Sequence, residues 1–218
     1  YLYGAAALLA LTFATKENAF LTSAILLVFL DLVVAADLAE QTRMGLRERE
    51  GTYPFYFLAY MPFAWLIVAA WPFTEGLRRR FGLIERDRAM DLLLVLGTLA
   101  GPQYTAAVQL PIEAAGVPVD SVETSRLVGF PTVGALLGAS AVVGLAWHRR
   151  RWALAAAAFY APYALLFTSF LTHWDGVASG IWSSLDYWMG QHGARRGDQP
   201  EFYYLMFFPA YEFLILMA

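Results

Sequence analysis

The chain has 218 residues, of which 59% are hydrophobic, 16% aromatic and 15% charged, with a formal net charge of −3. Soluble domains carry about 25% charged residues, so this composition excludes an ordinary cytosolic globule. The basic residues sit in short loops, which argues against a nucleic-acid partner, and the absence of cysteine excludes disulfides, thiol nucleophiles and thiolate metal sites.

In chain order, the first apolar run, Leu2 to Ala14, is shorter than the roughly 20 residues a spanning helix needs. It begins at Tyr1 with no charged leader. Apolar blocks of spanning length follow at Ala19–Ala36, Pro54–Phe73, Leu92–Leu110, Leu127–Trp147 and Trp152–Leu171. The last segment, Phe202 to Ala218, stops while still apolar. Both ends read as cut within hydrophobic helices, so we expect one transmembrane domain over residues 1–218, truncated at each end. In lipid every backbone N–H and C=O must be satisfied within its own segment, so the blocks should be helices. The expected fold is an all-α integral membrane helix bundle with about seven transmembrane segments or part-segments.

Arg78-Arg79-Arg80 and His148-Arg149-Arg150-Arg151 read as stop signals, with Trp71, Trp147 and Trp152 beside them as interfacial rings. Simple alternation places nine basic residues on one side (Lys16, five at 78–88, three at 149–151) and six on the other. The positive-inside rule makes the nine-charge side cytoplasmic. Loops Asp37–Tyr53, Pro111–Ser125 and Thr172–Glu201 then face outward. Gly134 and Gly138 form a small-xxx-small pattern, read as close packing within the chain or as a dimerisation face.

Charges inside apolar segments are informative, because each costs several kcal/mol (about 2.5–3.5 on insertion scales) unless paired or hydrated. Lys16-Glu17 reads as a turn reaching the headgroups or as a functional pair. Asp31 and Glu212 each hydrogen-bond a neighbouring helix or line a wet cavity. No His-x-x-x-His or equivalent pattern occurs, since His148, His173 and His192 are scattered, so neither a metal site nor a cofactor is expected.

The external loop 172–201 is too long for a simple connection, and its three tryptophans make it an unusual disordered segment. Ile181 to Met189 should form a short interfacial helix, with Ile181, Trp182, Leu185 and Trp188 lying on the membrane. His192, Arg195 and Arg196 follow it. Two guanidiniums and an imidazole at an interface suit a phosphate-bearing lipid headgroup, which arginine engages through paired N–H donors. A nonspecific headgroup anchor is the alternative, and Asp198 and Glu201 supply two countercharges nearby.

Several blocks occur in a familiar order: Ala14-Thr15-Lys16-Glu17-Asn18-Ala19-Phe20; Trp174-Asp175-Gly176; Gly180 to Trp188; Gln191-His192; Arg196-Gly197-Asp198-Gln199-Pro200; Tyr203-Tyr204; and Pro209-Ala210-Tyr211-Glu212. The chain resembles a family of archaeal and bacterial polytopic proteins named for an association with flippase activity. They are relatives of the dolichyl-phosphate-mannose protein mannosyltransferases in the GT-C glycosyltransferase superfamily. The resemblance is dense at the start and over the last fifty residues, and elsewhere rests on hydropathy alone.

It implies a GT-C-like membrane glycosyltransferase of a prokaryotic cell membrane, using a polyprenyl-phosphate-linked sugar on the external face. The catalytic acid of such enzymes lies in a first external loop, which would fall upstream of Tyr1, so no catalytic residue is assigned here. His192, Arg195 and Arg196 become carrier-phosphate ligands. Lys16, Glu17, Asp31, Asp175, Gln199, Tyr203, Tyr204 and Glu212 become cavity-lining or structural polar residues. Lys16 matches a lysine common in the superfamily, although alternation puts it on the cytoplasmic side. The expected partners are the lipid carrier or lipid-linked sugar, membrane lipids and other membrane proteins. A carrier-translocation factor and a structural transmembrane subunit of a larger assembly are the alternatives.

Overall fold

The structure is a computed structural model that describes residues 1–15, 19–46, 51–74, 87–109, 112, 122–183, 185 and 187. Packing divides the chain into units Tyr1–Asp186 and Tyr187–Ala218, and of the second only Tyr187 is described. The described elements of the first unit are all helical. They are α1 (Leu2–Thr15), α2 (Ala19–Gly45), α3 (Tyr53–Tyr60), α4 (Ala64–Ala70), α5 (Arg88–Ala100), α6 (Val122–Phe167) and the short α7 (Asp175–Ala178). Helices of tighter winding extend α4 at Trp71–Phe73 and α5 at Gly101–Val108, and a π turn at Ser179–Ser183 follows α7.

Two stretches are long and apolar enough to cross a membrane: α2, and Val128–Phe167 of α6. The bent pair Tyr53–Tyr60 and Ala64–Phe73 makes a third if taken as one span. Only 33% and 11% of the most apolar windows of α2 and α6 are buried inside the protein. Leu21, Ile25, Val28 and Phe29 on α2, and Phe130, Val142 and Leu145 on α6, stand exposed. A folded chain that leaves such faces outside needs a surrounding medium as apolar as they are. The protein is a membrane protein, all-helical among the described residues.

The expected straight span Pro54–Phe73 is broken by 68° between α3 and α4. Pro62 has no N–H to continue the helix, and its ring crowds the preceding turn. Met61 N–H closes on Phe57 O at 2.9 Å and Phe63 N–H on Tyr60 O at 2.9 Å. Phe63 then leaves helical geometry (φ −125, ψ 0) before α4 begins. The expected span Leu92–Leu110 is α-helical only to Ala100, where Gly101-Pro102 starts the tighter winding. Asp87 caps its start, accepting the Met90 N–H at 2.8 Å.

The two expected spans on either side of His148 are limbs of α6, separated by non-helical geometry at His148 (φ −164, ψ 96). The Trp152 indole fills the space that a side chain on Gly144 would need. On a straight helix those residues would stand about 12 Å apart, so the chain folds back at His148. Trp152 also donates from Nε1 to Thr98 Oγ1 at 3.0 Å, tying the second limb to α5. Trp71 and Trp152 are therefore buried rather than interfacial, at 5% and 9% exposure. Gly134 and Gly138, by contrast, face open space.

Helices α2 and α5 run antiparallel. Ser23 Oγ meets the Tyr104 hydroxyl at 2.7 Å, Leu27 lies against Gly97, and the Asp37 carboxyl hydrogen-bonds Asp87. This corrects the expected sidedness. The end of α2 and the start of α5 stand at the same end of the unit, whereas alternation put loop Asp37–Tyr53 opposite Arg88. Simple alternation failed because the segment between them does not make one straight crossing.

Candidate functional site

A groove lies beside the break between α3 and α4. It holds about 580 Å³ and is lined by α2, the break, α4, α5 and the first limb of α6. Nearly every lining side chain is apolar; Asp31, Thr98 and Ser140 are the polar ones. Asp31 Oδ1 accepts the backbone N–H of Trp65 at 2.8 Å. That N–H belongs to the first turn of α4, where no helical carbonyl can reach it. Asp31 thus satisfies the break from a neighbouring helix while bordering the groove. Thr42 Oγ1 and the Tyr60 hydroxyl, 2.9 Å apart, pin α3 to the same helix higher up.

A second feature is an aromatic column. Tyr104 packs on Phe20, Phe20 on Phe13, Phe13 on Phe159, Phe159 on Tyr163 and Tyr163 on Phe167, with ring centres 4.2 to 6.4 Å apart. α6 ends on this column in a left-handed turn at Ser169, Phe170 and Leu171 (φ 50, 58 and 68). Such geometry costs a non-glycine residue about 1–2 kcal/mol. Thr168 holds it: its carbonyl accepts the N–H groups of Thr172 (3.0 Å) and His173 (2.9 Å), and its hydroxyl accepts that of Leu171 (2.9 Å).

The turn sends the chain back over the column as the start of the long loop. Gly176 lies directly on the Phe167 carbonyl, Gly180 lies against Phe167 and the Tyr163 hydroxyl, and the Trp182 ring sits on Gly129. Ile181 and Leu185, two of the residues expected to lie on the membrane, are buried at 6% and 4% exposure. Asp175 opens α7 and is exposed.

Among the expected site residues, the structure places Asp31 at the groove and Asp175 at the start of the loop. It does not bring these two together. Lys16, Glu17, His192, Arg195, Arg196, Gln199, Tyr203, Tyr204 and Glu212 lie outside the described residues. Two polar side chains escaped the sequence reading. The Gln103 amide and the Tyr163 hydroxyl are buried with no hydrogen-bond partner among the described residues. Pro102 beside Gln103, and the i, i+4 spacing of Phe159, Tyr163 and Phe167, were the available signals. No family model, curated protein or solved structure matches the chain.

Proposed function

We propose that this chain is part of a GT-C-type glycosyltransferase of a prokaryotic membrane that uses a polyprenyl-phosphate-linked sugar at the external face. The observation that carries the reading is the ordered set of blocks from Thr15-Lys16-Glu17 through Trp174-Asp175-Gly176 to Gln199-Pro200 and Tyr203-Tyr204. The helical membrane unit is compatible with it. The chemistry fits the loop: charge grows on the carrier phosphate as the glycosidic bond breaks, and fixed cations at His192, Arg195 and Arg196 stabilise that charge. No acid–base residue is assigned within this chain.

The test is a transfer assay with the intact protein in liposomes, supplied with a labelled polyprenyl-phosphate sugar and a hydroxyl acceptor. Carrier-dependent transfer of label supports the enzyme. Movement of the carrier across the bilayer without transfer replaces it with the translocation-factor reading. Neither activity leaves a structural subunit.

A further inference from the structure

The antiparallel register of α2 and α5 constrains how residues 46–86 meet the bilayer. Asp37 reaches Asp87 at one end, and Ser23 reaches Tyr104 at the other. The intervening chain starts and finishes at the same end, so it crosses an even number of times. Two crossings do not fit. The return path, residues 75–86, carries Glu75, Arg78, Arg79, Arg80, Glu85 and Arg86, a density of charge that lipid does not admit. α3 and α4 have 8 and 7 residues, about 12 and 11 Å against roughly 30 Å of hydrocarbon, so they do not supply two spans themselves.

Yet the break between them is deep. The Trp65 N–H is held by Asp31, about 9 Å further along α2 than Asp37. From there α4, bent 68° from α3, touches α2 and α5, and Trp71–Phe73 reaches α6. Non-helical backbone at such depth is tolerated only where the protein satisfies its polar groups, and Asp31 does so here.

We propose that Tyr53–Phe73 is a re-entrant hairpin that dips beside α2, turns at Met61 to Phe63 and leaves through the leaflet it entered, and that this leaflet is cytoplasmic. The orientation follows from where the arginines gather. The tip of α6 lies at the Asp87 end, because its second limb climbs from Trp152, level with Thr98, to Phe159, level with Phe13. Arg43, Arg88 and Arg149 to Arg151 therefore share one end, and in the sequence Arg47, Arg49, Arg78, Arg79, Arg80 and Arg86 flank the same hairpin. By sequence, Lys16 and Arg126 are the basic residues of 1–186 left for the other end. Over the same residues alternation gives nine against four, so eleven against two is a stronger positive-inside signal. Lys16 accordingly moves to the external side, the side on which α6 ends and loop 172–201 begins. The inference stands whether or not the chain is a transferase.

The chain has no cysteine, so single introduced thiols report on themselves. Met44→Cys and Thr74→Cys, made separately in the full chain, bracket the hairpin, with Asn18→Cys as the external reference. In intact cells a membrane-impermeant maleimide should label Asn18→Cys and neither of the others; after permeabilisation it should label all three. Labelling of Met44→Cys and Thr74→Cys from opposite sides overturns the hairpin, and labelling of both from outside overturns the orientation. Should either variant fail to reach the membrane, Glu48→Cys and Glu75→Cys, in the same two connecting segments of the sequence, pose the same question with the same outcomes.

Discussion

Asp31 and Trp65 are joined by a 2.8 Å hydrogen bond from the Trp65 backbone N–H to Oδ1, linking the middle of α2 to the first turn of α4. A carboxylate within an apolar helix and an unpaired N–H at a helix start are each costly in lipid. Paired, each offsets part of the other's cost, and the bond fixes the depth at which the chain turns.

Asp31→Ala should therefore destabilise the protein by about 1.5–3 kcal/mol, the range for losing a hydrogen bond to a charged group. Asp31→Asn keeps an acceptor oxygen and should recover about half or more of that loss. Thermal unfolding of the purified protein in detergent measures both. Equal loss in the two variants would show that charge, rather than the Trp65 contact, is what Asp31 supplies.

At the tip of α6, Gly144→Val places a branched side chain where the Trp152 indole lies. Overpacking of this kind costs about 1–3 kcal/mol, and here the backbone of the fold-back leaves little room to yield. Trp152→Phe retains the ring contact and loses only the bond to Thr98, worth about 0.5–1.5 kcal/mol. The same melting experiment should rank Gly144→Val as the more damaging change. The reverse ranking would contradict a hairpin held by that contact.

The left-handed turn at the end of α6 gives a prediction of opposite sign. Leu171 has φ 68 and is 47% exposed, so Leu171→Gly relieves backbone strain with little packing lost. A gain of about 1 kcal/mol is expected, visible as a higher melting temperature. A fall would show that the exposed leucine makes contacts worth more than the strain.

Much of the helical membrane character was legible, because a bilayer permits few backbone solutions and long apolar runs announce them. The His148-Arg149-Arg150-Arg151 cluster marked the fold-back of α6 for the same reason. Asp31 stood out by its cost alone, but its partner did not. The Trp65 N–H becomes an orphan donor only because Pro62 breaks the helix, and an average over Pro54–Phe73 conceals that break. The sidedness failed as a consequence, since alternation counts every apolar block as one crossing.

The glycines illustrate a different limit. Gly134 and Gly138 carry the familiar spacing for helix packing and meet nothing, whereas Gly129 and Gly144 receive tryptophan rings. Spacing shows where a helix could be approached closely; only the tertiary arrangement decides what approaches. The face formed by Ile181 and Leu185 behaves likewise. Its amphipathic pattern was read as membrane-facing, but pattern alone does not distinguish a lipid surface from an aromatic column of the same protein.

The central claim, that the loop at His192, Arg195 and Arg196 binds a phosphate-bearing lipid, is tested most directly by carrier binding to the intact protein and to its Arg196→Ala variant. Titration with polyprenyl phosphate in detergent, alongside a melting curve for each protein, separates recognition from folding. The account predicts binding weaker by about 10- to 100-fold with an unchanged melting temperature, as for a lost charged hydrogen bond worth roughly 1.5–3 kcal/mol. Unchanged carrier affinity in a less stable protein would contradict it, and would assign Arg196 to salt bridges with Asp198 or Glu201 instead.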